Sequence, residues 1–408
     1  MKARKIVITG LGVTSTLGTD VQTFWKNLNS QVCGFARLPM LDQLQVPFNV
    51  GGYVEDFTDQ NFYREVEPST FGRATQLALH AASQAVRHAR LRRSNVGSDS
   101  SRVGVVMGTT CGANDAIEAQ GFEANWFSGN LADCPRESFV KYDHCSIANA
   151  LSREFGFDGP SYVVGTACSS GNHAIGEAMS LIQSGQADIV LCGGSDAFTL
   201  LPIFGFYSMK SLAKEQCMPF DRKREGMILG EGAAVLVLEN IESAQSRGVS
   251  PLAEVRGWAL NCDAKNFAAP MESGERCEQL IHACLMEANL DRDDIDYINV
   301  HGTGTVSNDL MEARGISLAY EGSLKKVPIS SIKGTLGHTL GAAGAFEAVT
   351  STLVIENDRI PPNTPVMEMD DGIDLYVVTE STSRPVQNVL SLSFAFGGCN
   401  VATLFSKP

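Results

Sequence analysis

One cysteine and two histidines, each in a Gly-rich turn, are the residues of this chain best set for chemistry. Cys168 stands in GTACSSGNHAIGEA, His301 in VHGTGT and His338 in KGTLGHTLGAAGAFEA. Each turn follows an apolar strand or loop, the kind of place where a fold exposes reactive side chains. A thiol with two imidazoles suits acyl transfer to sulfur, followed by chemistry at a second carbonyl polarised by histidine. Cys168 is expected at a helix N-terminus, where the helix dipole and free N–H groups favour a thiolate. Its neighbours Ala167, Ser169, Ser170 and Gly171 are small and leave room for a substrate. Taken alone, a cysteine is equally a small buried hydrophobe, which is how the other cysteines read.

His301 precedes two glycines that permit close backbone approach, and Thr303 and Thr305 offer hydroxyls to a polar substrate arm. Alone, it is equally a satisfied loop histidine. His338 is expected to open a second helix, where the positive end of the dipole favours a neutral imidazole able to donate to a developing enolate oxygen. Lys333, in the same turn, reads as a fixed cation that tunes these histidines, or else as a solvated lysine. Asp309 and Glu312 lie three apart, on one face of the helix after His301. They read as first-turn carboxylates, with Glu312 expected to pair with Lys333 beneath the site. Phe394 and Phe396 in SFAFGGCN are core or pocket aromatics, and the Gly-Gly turn frees the Phe396 N–H to serve as an oxyanion donor.

The elements that must position these residues alternate between strand and helix. RKIVITGLG, RVGVVMG, SYVVGTA, ADIVLCGG, EGAAVLVLEN, AEVRGWAL, DYINVHG, VPISSIKG, LSLSFAFGG and NVATLFSK read as strands. ATQLALHAASQAVRHARL, GNHAIGEAMSLIQSG, CEQLIHACLMEANL, LMEARGISLAY and AAGAFEAVTSTLVIEN read as helices. The pattern is α/β with mixed sheets. Placing Cys168 on His338 brings Gly171 onto Gly341, Glu177 onto Glu347 and Ala178 onto Ala348. This echo predicts a duplicated strand–helix unit whose two helix starts meet around a pseudo-two-fold axis. The two halves are expected to span residues 1–250, with Cys168, and 251–408, with both histidines.

Composition narrows the classes. The chain has 408 residues, 44% of them hydrophobic and 19% charged, so it can bury a large core. A net charge of −14 argues against non-specific nucleic-acid binding. The eleven cysteines are scattered with no CxxC, which argues for reduced thiols in a cytoplasmic protein rather than a disulfide or zinc framework. The opening IVITGLGVT is β-branched and Gly-broken, so it reads as a first strand rather than a signal peptide. No run of 18 apolar residues marks a membrane span. No nucleotide-binding glycine motif sits in a strand–helix setting, and no metal-ligand spacing is present. His80, His88, His144, His173 and His282 read as structural or surface residues.

Cys168 in TACSSG, His301 in HGTGT, Lys333 and His338 in KGTLGHTLGAAG, and the closing FAFGGCN together resemble the elongating, synthase II type of β-ketoacyl-acyl-carrier-protein synthase. The resemblance runs the length of the chain, through PFDRKREGMILGEGAAVLVLE. It implies a thiolase fold: two similar halves in a layered α-β-α-β-α arrangement. It implies that Cys168 carries the growing acyl chain as a thioester, while His301 and His338 support decarboxylation of malonyl-carrier and stabilise its enolate. The N–H groups of Cys168 and Phe396 would form the oxyanion hole, and Phe396 would gate the acyl pocket. Thr303 and Thr305 would hold the phosphopantetheine arm, Lys333 and Glu312 would orient the histidines, and Asp309 would be structural. The implied partners are an acyl carrier protein and a second subunit, either a copy of this chain or a chain-length-factor-like protein. No resident cofactor is implied, because the substrates ride on the carrier's phosphopantetheine.

Three positions depart from that pattern: Asn308 before Asp309, Ala395 with Cys399 in FAFGGCN, and Cys111 where a bulkier aliphatic often lines the acyl pocket. They are compatible with a type II polyketide or aryl-polyene ketosynthase, so the chain extended on Cys168 is expected to be a fatty-acid or a polyketide or polyene chain. Arg64, Arg73, Lys210 and Lys214 are candidates for a basic rim that would receive an acidic carrier. A non-catalytic chain-length-factor-like subunit is the alternative within the family, disfavoured because such subunits typically lose the cysteine. A cysteine hydrolase, outside it, would have no use for the Lys333–His338 turn.

Overall fold

The computed structural model describes residues 4–42, 46–55, 57, 63–91, 99–112, 114, 143–321, 323 and 326–408. Ten strands and six helices carry the architecture. In the first copy the strands are β1 (Ile6–Ser15), β2 (Val103–Gly108), β3 (Ser161–Val164), β4 (Ile189–Asp196) and β5 (Gly232–Asn240). In the second they are β6 (Ala253–Cys262), β7 (Tyr297–Asn299), β8 (Pro328–Ser330), β9 (Asn388–Ser393) and β10 (Cys399–Ser406). The spatial order is β3-β2-β4-β5-β1 in the first and β8-β7-β9-β10-β6 in the second. In both, three parallel strands adjoin two antiparallel ones, and in the second a short edge strand, Tyr376–Val377, adds a fourth parallel strand beside β8. The copies join edge to edge where Val7 and Ile8 of β1 pair with Glu254 and Ala253 of β6.

The helices repeat as well. α1 (Arg73–His88) and α2 (Ser146–Phe155) cover one sheet on its outer face. α4 (Glu275–Ala288) and α5 (Val306–Ala319) cover the other. α3 (Ser170–Gln183) and α6 (Ala343–Asn357) lie between the sheets in one shared core. Helix, sheet, helix pair, sheet, helix is the five-layered arrangement that the resemblance implies. The layering explains the residue patterns. α1 shows one apolar stripe, with Ala74, Leu77, Ala78, Ala81, Ala82 and Ala85 buried, because it has one solvent face. α6 is buried at every position from Ala343 to Ile355, because it has none. β1, covered on both faces, is buried at all ten positions and shows no alternation.

The central helices approach each other closely. A Cβ on Gly171 would sit 2.8 Å from the Ala345 N and the Gly341 O, and one on Gly344 would sit 2.6 Å from the Asn172 N and Cβ. Only hydrogen fits at either position. These reciprocal contacts correct the register of the sequence echo. The structural repeat runs from Ala167 to Leu340 and from Ser170 to Ala343, an offset of 173 rather than 170. Ala167 (φ 50°) and Leu340 (φ 53°) mark the same left-handed position in the two copies. Cys168 is therefore matched by Gly341, not by His338. The reason is an insertion. Two residues separate β3 from its turn at Ala167, but nine separate β8 from the turn at Leu340. Lys333 and His338 both lie in that longer segment.

Gly344→Ala is expected to destabilise the protein by about 1–3 kcal/mol. Gly205→Ala, at a helical position with no atom within 4 Å of the new Cβ, is expected to be neutral or to stabilise by about 0.5–1 kcal/mol. The midpoints of urea unfolding curves for the two variants would show the contrast.

Candidate active site

His301 follows β7 by one residue and enters a turn in which Gly302 (φ 40°) and Gly304 (φ 76°) take left-handed conformations. α5 holds that turn from behind. Glu312 accepts the His301 N–H at 2.6 Å and the Gly302 N–H at 2.8 Å. Asp309, three residues earlier on the same face, accepts from the N–H groups of Phe220 at 2.8 Å and Gly304 at 3.3 Å, and lies 3.5 Å from Arg224. Burial pushes Asp309 up to about 6 and Glu312 up to about 8, against the backbone donors that favour their anions.

The expected Glu312–Lys333 pair does not form. Both Glu312 oxygens are taken by backbone N–H groups, and Lys333 pairs with Glu347 of α6. The same ammonium donates to the His301 carbonyl at 2.6 Å and lies 3.3 Å from His301 Nδ1. The second Glu347 oxygen accepts from the Ser393 hydroxyl at 3.0 Å. Lys333 is 1% exposed and Glu347 fully buried, so each charge depends on the other. Burial raises the Glu347 pKa, and Lys333 opposes that shift.

Two neutral imidazoles result. Burial, with Lys333 adding to it, holds both His301 and His338 well below the usual histidine range. His338 Nδ1 accepts the Leu340 N–H at 3.2 Å, and Lys333 donates toward His301 Nδ1, so in both rings the proton sits on Nε2. The rings meet edge to face, 5.5 Å between centroids at 86°. His338 Nε2 is buried with no hydrogen-bond partner among the described residues. The backbone of His338 is fixed from both sides: its N–H donates to the Ile228 carbonyl at 2.7 Å, and its carbonyl accepts the Gly230 N–H at 3.0 Å. The MILGEG segment that sequence reading left without a role is therefore the brace for this histidine.

Cys168 sits in the tight turn Ala167–Ser169 that leads into α3. The left-handed Ala167 costs of the order of 1–2 kcal/mol and aims the thiol where an unstrained turn would not. The thiolate favoured by the helix start is not the resting state. Burial pushes the Cys168 thiol up to about 12; Lys333 opposes the shift, and Asp196 and Glu347 add to it. The carboxylate of Asp196 gathers donors from both copies: the Thr109 hydroxyl at 2.7 Å, the N–H groups of Thr110 at 2.8 Å and Cys111 at 2.9 Å, and the N–H of Gly341 at 2.6 Å.

A cavity of about 600 Å³ of non-atom space brings Cys168, His301 and His338 together with Thr303, Thr305 and Phe396. The two threonine hydroxyls lie 2.8 Å apart near its mouth. The Phe396 ring rests on Phe206, 5.3 Å between centroids. Cys111 does not line this cavity. It lies in an apolar cluster with Phe198, Phe206, Met227 and Leu340, against which Phe396 packs. Arg73 is no rim residue: it turns inward to Glu231, with Nε 2.8 Å from Oε2, and stacks 4.0 Å over the Tyr53 ring. Arg64, Lys210 and Lys214 are exposed. Among the described residues, no group of three His, Cys, Asp or Glu side chains is placed to hold a metal, and no helix is long and apolar enough to cross a membrane.

Glu347 is the site residue that sequence reading used only as a repeat marker. Its signal was a carboxylate in the middle of the run Ala343–Ile355, which is otherwise uncharged and buried throughout, and such a group demands an internal cation. Asp196 carried no comparable signal.

Comparison with known proteins agrees with this geometry. Residues 3–244 match the family model "Beta-ketoacyl synthase, N-terminal domain", and residues 252–367 match the corresponding C-terminal domain. A 3-oxoacyl-[acyl-carrier-protein] synthase 2 from Synechocystis sp. is 32% identical over 416 residues, covering 100% of this chain and 99% of that protein. Among solved structures, the ishigamide ketosynthase/chain length factor is 32% identical with a TM-score of 0.94, each chain covered completely. A type II polyketide synthase acyl-carrier protein in complex with its ketosynthase is 27% identical with a TM-score of 0.91, again with both chains fully covered.

Because the Cys168 thiol is held above its ordinary value, its alkylation by iodoacetamide is expected to keep rising with pH through about 9.5, where an ordinary thiol levels off. Quantifying the Cys168 peptide by mass spectrometry separates it from the other thiols. A plateau near pH 8 would show that the helix start outweighs burial.

Proposed function

Since the chain belongs to the β-ketoacyl synthase family, we propose that Cys168, His301 and His338 carry out a decarboxylative condensation between two carrier-bound thioesters. The activity is that of a 3-oxoacyl-carrier synthase, an acyltransferase. The reading rests above all on one observation: two buried imidazoles, each with Nδ1 facing an N–H donor, share a cavity with the Cys168 thiol, and His338 Nε2 has no hydrogen-bond partner among the described residues.

In the first half-reaction the Cys168 sulfur attacks the acyl-carrier thioester. Its proton leaves with the carrier thiol, and the acyl chain remains on Cys168. In the second, malonyl-carrier binds with its phosphopantetheine arm along Thr303 and Thr305. The Nε2–H groups of His301 and His338 donate to its thioester oxygen, and this stabilises the enolate formed as CO₂ departs. The enolate carbon attacks the Cys168 thioester carbonyl. The tetrahedral oxyanion is held by the N–H groups of Cys168 and Phe396. Collapse expels the Cys168 thiolate, which takes one proton from water, and releases 3-oxoacyl-carrier. Lys333 and Glu347 act through His301: the ammonium keeps Nδ1 an acceptor and so keeps the donor proton on Nε2. Glu312 positions the His301 backbone. The Phe396 ring, resting on Phe206, is the gate between the open cavity and the apolar cluster around Cys111, where the acyl chain would extend.

The likeness to a ketosynthase/chain length factor structure supports a place in type II polyketide or polyene synthesis, with a second, non-identical subunit. The exposed Lys210 and Lys214 support docking of an acidic carrier protein beside the mouth. No resident cofactor is needed for either half-reaction, and the scattered cysteines, with no CxxC, suit a cytoplasmic setting.

The two half-reactions are separable. Cys168→Ala is expected to abolish acyl transfer while still releasing CO₂ from malonyl-carrier, whereas His338→Ala is expected to accept an acyl group on Cys168 and lose decarboxylation by about 100-fold or more. Intact-protein mass and radiolabelled CO₂ release read the two steps independently. Because both imidazoles titrate well below 6.5, decarboxylation is expected to show no acid limb near that pH; a half-maximal rate at pH 6.5 would overturn the neutral-donor assignment. Extension of saturated fatty acyl-carriers alone, in assays with purified carrier proteins, would overturn the polyketide assignment.

A further inference from the structure

Cys262 and Cys399 face each other across the β6–β10 ladder. The neighbouring pair, Asp263 and Gly398, carries the inter-strand bond from the Asp263 N–H to the Gly398 carbonyl at 2.9 Å. In an antiparallel ladder bonded and non-bonded pairs alternate, so Cys262 and Cys399 form a non-hydrogen-bonded pair, where opposed side chains lie closest. The Cα separation of such a pair, about 4.5 Å, falls within the range that a disulfide bridges, about 4.4–6.8 Å. Cys262 is exposed and Cys399 half-buried, so both can be reached from solvent. Cys262, the more exposed of the two, is the first that a solvent oxidant reaches, and burial, then the neighbouring Cys262, hold the Cys399 thiol above its ordinary value.

The pair sits where two lips of the cavity meet. Asp263, Asn266 and Phe267 follow Cys262 into the cavity wall, and Phe396 and Gly398 precede Cys399. The lips are now joined by the Gly397 N–H donating to the Phe267 carbonyl at 2.8 Å and by the Cys262 thiol, 3.7 Å from the Gly397 carbonyl.

We infer that Cys262 and Cys399 form a dithiol site that is reversibly oxidised to a cross-strand disulfide by a low-molecular-weight disulfide, locking the lips of the cavity together. The Cys262 thiolate attacks one sulfur of glutathione disulfide and releases one glutathione thiol. The Cys399 thiolate then attacks the Cys262 sulfur and releases the second. Both protein protons end on glutathione. Fixing residue 399 to residue 262 restrains the Phe396–Gly398 turn, and with it the Phe396 ring. The slowing of turnover rests on the function proposed above; the cross-link does not.

The test uses the full chain, equilibrated with glutathione disulfide and glutathione at several ratios, quenched with N-ethylmaleimide and digested. The expected product is a peptide pair joined through Cys262 and Cys399, two hydrogen atoms lighter than its parts and lost on adding dithiothreitol. Condensation is expected to slow by roughly threefold or more in step with it, to recover with dithiothreitol, and to be insensitive in Cys399→Ser. Recovery of Cys262 and Cys399 only as separate glutathione or maleimide adducts would overturn the site. A cross-link with unchanged condensation, or equal inhibition of Cys399→Ser, would overturn the locking of the lips while leaving the condensation chemistry standing.

Discussion

The site depends on how closely α3 and α6 approach. Gly171 and Gly344 let two helix starts meet backbone to backbone between the sheets. That contact sets Cys168, at the start of one helix, against the segment that precedes the other and holds Lys333 and His338. It also buries α6 on every side, so Glu347 can have no partner but an internal one. Side chains larger than hydrogen at these glycines would push the helices apart, and the thiol and imidazoles would no longer share one cavity.

From that contact follows the electrostatics. A single buried ammonium answers a buried carboxylate and reaches the backbone and Nδ1 of one histidine, and its charge disfavours protonation of both. The imidazoles stay neutral because ionising them would place a second cation beside Lys333 without water. The same burial that keeps them neutral keeps Cys168 protonated. The site is thus assembled from groups that are neutral donors at rest, surrounding one ion pair that does not itself face the cavity.

Much of this was legible in the residues. The strands and the long helices stood out because their apolar runs and stripes match the layers they occupy. Cys168, His301 and His338 stood out because each lies at a Gly-rich turn beside a strand. The repeat was visible but misregistered, because identities at Gly341, Glu347 and Ala348 outweighed a seven-residue difference in loop length that only backbone geometry exposes. The Lys333 partner was missed because Glu312 lies near His301 in sequence, while Glu347 reaches it only through packing. Arg73 read as a surface cation because nothing local announces Glu231, 158 residues away. Cys111 was read as a lining of the acyl pocket, and the packing sets it in the apolar cluster against which Phe396 rests.

Asp196 ties the Thr109–Cys111 turn of one copy to Gly341 of the other through a carboxylate with four donors. Neither turn can satisfy it alone. The two copies are a pair with shared parts: the wall of one is the anchor of the other. Dividing such a chain at the midpoint would strip a buried carboxyl of a donor that only the other half supplies.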